Sequence, residues 1–517
     1  MTFNSIAFLI FYPLVLLGYF ISRRVGGKVG KNMAWIFLLA ASYFFYLYSQ
    51  WELIVLILFT TIVSWLCSLR IENLNTRQEK AKEQGEADDR FLRNVKRQKR
   101  LCLLLTLVTS LGVLFYFKYA NFLMSSGVSL VAFLTKRNFV YHPMNILLPV
   151  GISFYTFQTL SYAIDVYRGD IKTERHFGYY ALFVSFFPQL VAGPIERPGN
   201  LLPQLKEFMP ITRDDVQRGL RKMALGFFKK IVVADLIAVY VNAIYNGVDA
   251  QSPVPGLSIV LATVLFAVQI YCDFSGYTDI AIGCASIMGI HLMKNFDHPY
   301  RAKTVREFWN RWHLSLSTWF RDYIYFPLGG SRCAKWKHLR NVFIVFFVSG
   351  FWHGAAWTFV IWGMLHALYQ IIGILTFPLR EKLFSRMGIS SKNPVLGAVR
   401  CLNTFILVNF AWLFFRANST TDMVALLKNL FTPSAWSFSL TEALKVMGMT
   451  PVGMVITILS VVLLGLLDQA IRHWNEPDEG EVVTRSGVVV LVVWMVALAW
   501  TILMQNDLTS SFIYFQF

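Results

Sequence analysis

Two histidines, His313 and His353, lie forty residues apart in the part of the chain best equipped for chemistry. The first sits in EFWNRWHLSLSTWFRDYIYFPLGGSR and the second in NVFIVFFVSGFWHGAA. Ten Lys/Arg and three acids fall between Lys294 and Arg340. A basic, aromatic, His-bearing belt therefore interrupts a hydrophobic chain. An imidazole titrates near neutrality, so either histidine could serve as a general base on a hydroxyl.

On a helix of 3.6 residues per turn, Arg306, Asn310, His313, Ser317 and Arg321 form one polar stripe. Trp309, Trp312, Leu316, Trp319 and Tyr323 form an aromatic stripe beside it. The expectation is an interfacial or re-entrant helix with its polar face on a cavity, ended by Pro327, Gly329 and Gly330. Both a direct and a structural role for His313 fit that pattern. His353 lies thirteen residues beyond Arg340, the last charge before the apolar run. That is about 20 Å by helical rise, more than halfway across a hydrocarbon core of about 30 Å. Gly350, Gly354, Ala355 and Ala356 would leave room for a substrate to reach the ring. The alternative is a histidine satisfied by helix–helix hydrogen bonds.

Other polar groups lie in apolar runs: Tyr155, Gln158 and Asp165; Glu196 with Arg197; Asp273, Ser275 and Asp279. Intramembrane ionisable groups are costly unless paired. Helix-to-helix anchoring is the expected use of these three sets.

Hydrophobic residues make up 56% of the chain and charged residues 15%, against roughly 25% charged in soluble domains, so an all-α polytopic membrane protein is expected. The net charge of +18 reads as cytoplasmic loop charge, because Lys/Arg retention sets topology. No nucleic-acid-binding motif accompanies it. Six scattered cysteines show no metal-like spacing and no disulfide framework, so no metal is expected.

Ile6–Phe20 is expected to be a retained first span, with Arg23, Arg24, Lys28 and Lys31 expected to place its C-terminal end in the cytoplasm and the N-terminus outside. Met33–Tyr48 and Leu53–Leu69 return the chain to a charged cytoplasmic loop at 70–100, with ten basic and six acidic residues. Later apolar runs cover Leu101–Tyr116, Asn145–Ile164, Tyr179–Val191, Met223–Ile244, Leu257–Ile290, Asn341–Ala356, Trp357–Phe377, Cys401–Phe415, Val452–Leu467 and Val488–Leu503. About eleven transmembrane helices are expected, with interfacial helices at Asn200–Arg221 and Asn418–Lys445. One domain, 1–517, would hold a motif core at 294–356 and a C-terminal span pair at 451–506.

The motifs NRWHLSLS and SGFWHGA, with DFSGYTD, VAGPIERP and GISFYTFQTLSY, resemble those of the membrane-bound O-acyltransferases. The similar branch is bacterial: alginate and peptidoglycan O-acetyltransferases and the teichoic-acid D-alanyl transfer protein. The resemblance runs from Phe3 to the C-terminal FIYFQF and implies a ring of helices around a funnel that meets a cytoplasmic tunnel. It implies His353 as general base and His313 orienting the donor or assisting proton transfer. Asn310, Ser317, Arg321, Trp352, Asp273 and Ser275 would support them. Arg306 and Arg311 would meet the phosphates of acetyl-CoA, since guanidinium groups suit phosphate. The same resemblance implies the bacterial cytoplasmic membrane, an extracytoplasmic SGNH-type acetyltransferase partner and a polysaccharide acceptor. D-alanyl transfer from a carrier-protein thioester, a transporter and a non-catalytic export scaffold stay open as alternatives.

Overall fold

The computed structural model describes residues 1–475 apart from 192, 208, 248–253, 389, 391–392 and 438. Among them every regular element is helical. The chain forms two compact units, Met1–Gly219 with Ala281–Met293, and Leu220–Ile280 with Lys294 onward.

In the first unit the helices are α1 (Ile6–Arg24), α2 (Gly27–Gln50), α3 (Ile54–Glu83), α4 (Asp89–Leu114), α5 (Ala120–Thr135), α6 (Ile152–Arg168), α7 (Phe177–Ser185), α8 (Phe187–Leu190) and α9 (Pro198–Glu207). The charged segment 70–100 corrects the expectation of a loop. It is a helical hairpin in which α3 and α4 run past the apolar runs, leaving 84–88 as the turn. Its Lys, Arg, Glu and Gln residues lose little rotamer freedom in a helix. Asp88 caps α4 by accepting from Phe91 N at 2.6 Å. Across the hairpin, Arg70 donates to Gln98 at 3.0 Å and Lys99 to Gln78 at 2.6 Å. Tyr155 and Gln158 are buried on α6 and Asp165 is half-buried there, while Glu196 accepts from Asn200 at 2.7 Å.

The second unit takes over within α10 (Arg213–Phe227) and continues through α11 (Asp235–Tyr245), most of α12 (Gly256–Ile287), α13 (Val305–Trp309), α14 (Leu314–Phe320), α15 (Lys335–His353), α16 (Trp357–Arg386), α17 (Pro394–Arg416), α18 (Thr420–Phe431), α19 (Leu440–Val446) and α20 (Pro451–Asn475). A π-helical turn, Phe228–Ala234, joins α10 to α11 and carries Lys229 and Lys230. Asp273 on α12 pairs with Lys230 at 2.8 Å, and Lys230 also holds Asp235 at 2.8 Å. Asp279 is held by Lys222 at 2.8 Å and Lys229 at 2.6 Å. Asp273 and Asp279 thus sit in ion-pair anchors, as expected of buried acids.

Seven helical stretches among the described residues are long and apolar enough to cross a membrane, fewer than the eleven expected. One of them, Val29–Glu83, contains two of the apolar runs. The runs at 145–164, 179–191, 223–244 and 341–356 fall short for physical reasons. They hold the 17-residue α6, the nine-residue α7, the lysine-bearing π turn before α11, and α15 with its polar first turns. Val488–Leu503, and with it the second half of the 451–506 pair, lies outside the described residues.

Candidate active site

His313 does not sit on a continuous helix. The chain leaves α13 after Trp309, and His313 adopts a left-handed conformation, φ 46°, before α14 begins. Asn295 explains the break. Its backbone carbonyl accepts from Leu314 N at 2.9 Å, and its Oδ1 accepts from Ser315 N at 3.2 Å and Ser315 Oγ at 2.9 Å. These bonds satisfy donors that a new helix N-terminus leaves open. The single polar stripe is therefore corrected: Arg306, Asn310, Ser317 and Arg321 face one cavity, whereas His313 turns inward and is fully buried.

The same asparagine fixes the ring. Asn295 Oδ1 lies 3.1 Å from His313 Nδ1. Because this oxygen already accepts from a backbone N–H, it can only accept from the imidazole too. The proton is on Nδ1, and Nε2 keeps its lone pair. Phe274 packs edge-on at 4.7 Å between centroids, and burial pushes the imidazole down to about 3, so the ring is neutral.

His353 ends α15 and is 3% exposed. Aromatic rings enclose it: Trp352 and Trp362 at 4.9 Å between centroids and Phe415 at 5.5 Å. At Gly350 and Gly354 the small side chains serve close packing, not substrate room, which corrects that part of the expectation. A Cβ on Gly354 would lie 2.2 Å from the Phe359 ring, and one on Gly350 would lie 2.5 Å from Phe359 O. Gly350 and Gly363 bring the backbones of α15 and α16 into contact, packing α16 against the helix that carries His353. Trp352 joins the two histidines, lying 6.1 Å from His313 between centroids.

A third histidine belongs to this cluster and escaped the sequence reading. His366 on α16 is fully buried, and its Nδ1 accepts from Trp309 Nε1 at 3.2 Å. Trp362 stands between His366 (5.0 Å) and His353 (4.9 Å). The signal was present, since IWGMLHALYQ places an ionisable group within an apolar span.

A cavity of about 510 Å³ lies alongside. Arg306, Arg321 and His338 supply its basic groups, Asn310, Ser317, Ser349 and Gln370 its polar ones, and Trp309 and Phe346 part of its aromatic wall. Neither His313 nor His353 lines it. Arg311 does not line it either; its guanidinium is drawn off to Glu307 at 3.0 Å and Asp297 at 3.7 Å. Ser275 is buried on α12, and Asp273 beside it belongs to the lysine anchor. No group of three or more metal-ligating side chains occurs among the described residues. The arrangement can hold an anionic, partly apolar ligand against Arg306 and Arg321, with His366 behind the Trp309 ring and His353 beyond Trp362.

Residues 1–415 match the profile of the MBOAT, membrane-bound O-acyltransferase family. The chain is 34% identical to a probable alginate O-acetylase of Pseudomonas aeruginosa, over 92% of this chain and 83% of that protein. It is 31% identical to a peptidoglycan O-acetyltransferase of Helicobacter pylori, over 83% and 79%. A teichoic acid D-alanyltransferase of Bacillus subtilis is 31% identical, over 44% of this chain and 59% of that protein.

Proposed function

Because the chain belongs to the membrane-bound O-acyltransferase family, we propose that it moves an acetyl group from cytoplasmic acetyl-CoA to hydroxyls of an extracytoplasmic polysaccharide, with His353 as general base. The chain is a multi-pass membrane O-acyltransferase; donor, acceptor side and base make up the proposal. The observation that carries it is the position of His353. α15 is unbroken from Lys335, so the ring sits about 20 Å from Arg340 by helical rise, at the end of a helix whose first turns are basic.

In this reading Arg340 marks the cytoplasmic boundary, and the N-terminus is extracytoplasmic. The CoA phosphates meet Arg306 and Arg321 at the cavity, while the thioester passes the Trp309 wall toward the imidazoles. His353 takes the proton of the acceptor hydroxyl as its oxygen attacks the thioester carbonyl. Neutral His313, held by Asn295, orients the donor. Acetyl transfer is preferred to D-alanyl transfer because the alginate and peptidoglycan relatives match most of this chain, whereas the D-alanyltransferase matches 44% of it. An SGNH-type transferase on the outer face of the bacterial cytoplasmic membrane would receive the group or complete its transfer.

His353→Gln and His353→Ala test the base. Loss of a general base lowers kcat by roughly 10²–10⁴. Purified variants that keep their thermal unfolding profile and lose transfer to this extent support the assignment; activity within threefold of wild type removes it.

A further inference from the structure

One face of α16 carries buried donors for which the described residues offer no acceptor. Thr358, Trp362 and His366 recur at four-residue spacing and share that face. All three side chains are buried, at 1%, 0% and 0% exposure. No described residue accepts from Trp362 Nε1 or partners Thr358 Oγ1. The His366 ring repeats the pattern. Its Nδ1 accepts from Trp309, so its proton is on Nε2, and Nε2 likewise has no partner among the described residues. Buried donors are almost always satisfied, so a run of them on one helix face calls for an acceptor that arrives with a ligand.

Their place in the unit says which acceptor. Trp362 lies against His353, with 4.9 Å between centroids and the rings near perpendicular, and His366 lies 5.0 Å beyond it. On the other side, Trp309 and Phe346 line the basic cavity and also touch this pair: Trp309 is 5.1 Å from His366 and 5.7 Å from Trp362, and Phe346 is 6.2 Å from His366. The donors therefore stand between the cavity and the base, behind a wall one ring thick.

We propose that the Trp362 indole N–H and the His366 Nε2–H are catalytic oxyanion donors for the acyl carbonyl attacked at His353. This rests on the reading of His353 as the base. The acceptor oxygen bonds to the thioester carbon as its proton passes to His353, and the carbonyl π pair moves onto oxygen between the two donors. Collapse of the adduct re-forms the carbonyl and breaks the C–S bond, and the imidazolium protonates the departing thiolate. Ester and thiol are the products, with no proton left over. Fixed donors in a site closed to water stabilise the charge that develops in the transition state more than they stabilise the ground-state carbonyl.

The test uses the full-length protein in proteoliposomes, with acetyl-CoA as donor and alginate oligosaccharide as acceptor, following thiol release and O-acetylation. Trp362→Phe removes the N–H and keeps the aromatic packing. Replacement by 3-benzothienylalanine, an isostere without the N–H, is made in parallel in case the smaller ring unsettles the fold. The expected result is a kcat lower by roughly 10²–10³, the range for loss of one such donor, with donor KM within threefold and the pH dependence of kcat unchanged. His366→Phe lowers kcat in the same sense. His353→Gln is measured alongside. If the isostere keeps kcat within threefold while His353→Gln is inactive, the donor pair is wrong and the base stands. If His353→Gln is itself active, both assignments fall.

Discussion

Asn295→Ala gives the sharpest access to the architecture around His313. Asn295 is 1% exposed, and its Oδ1 is shared by Ser315 N (3.2 Å), Ser315 Oγ (2.9 Å) and His313 Nδ1 (3.1 Å). Truncation strands the Ser315 N–H and the His313 Nδ1–H in a buried site, while the Ser315 hydroxyl can rotate to another acceptor. Each stranded donor costs about 1–3 kcal/mol, so the variant should lose about 2–6 kcal/mol of stability. The imidazole also loses the contact that fixes its tautomer. If His313 orients the donor, releasing it should lower kcat about 10–100-fold, equivalent to about 1.4–2.7 kcal/mol in the barrier. Thermal unfolding in detergent reads the first effect and acetyl transfer in proteoliposomes the second. Ser315→Ala, which removes only the hydroxyl, should cost about 1 kcal/mol and leave kcat near wild type. An Asn295→Ala protein with unchanged unfolding and activity within threefold would refute the role given to Asn295.

The two cavity arginines should separate from Arg311. Arg306→Gln with Arg321→Gln should raise the donor KM in a salt-sensitive way, whereas Arg311→Gln, which loses only the Glu307 and Asp297 pairs, should leave KM alone; steady-state kinetics at two ionic strengths decides. Gly363→Ala should cost about 1–3 kcal/mol or more, because its Cβ would lie 2.4 Å from Phe346 O, and thermal unfolding measures the loss. His313 is held at about 3, below its unfolded value of about 6.5, so the unfolded chain binds the extra proton between those values. Its contribution to stability is complete above about pH 6.5 and declines as pH falls toward 3. His313→Gln should flatten that decline in a pH series of melting temperatures.

The membrane class and both histidine motifs were legible in the sequence because composition and residue type carry them. So was the fate of Asp273 and Asp279: a buried acid needs a counter-charge, and Lys222, Lys229 and Lys230 supply it. Periodicity misled at 306–321, since nothing local announces that Asn295, eighteen residues before His313, satisfies the donors of a new helix start. The glycines near His353 were misread because close helix packing and substrate space require the same small residues, and only tertiary structure separates them. His366 was missed although its type and position obeyed the rule that flagged other intramembrane polar groups. The charged hairpin reads as a loop in the sequence because polarity alone does not distinguish a solvated helix from a turn.

In the proposed function, acyl transfer at His353 carries the group from the Arg340 face of the membrane to the opposite face. Sealed proteoliposomes of known orientation, loaded with labelled acetyl-CoA on the Arg340 side, test it when alginate oligosaccharide is offered on one face at a time. Label should appear on acceptor at the far face with wild type and not with His353→Gln. Label confined to acceptor on the donor side, or equal labelling by the two proteins, would contradict it.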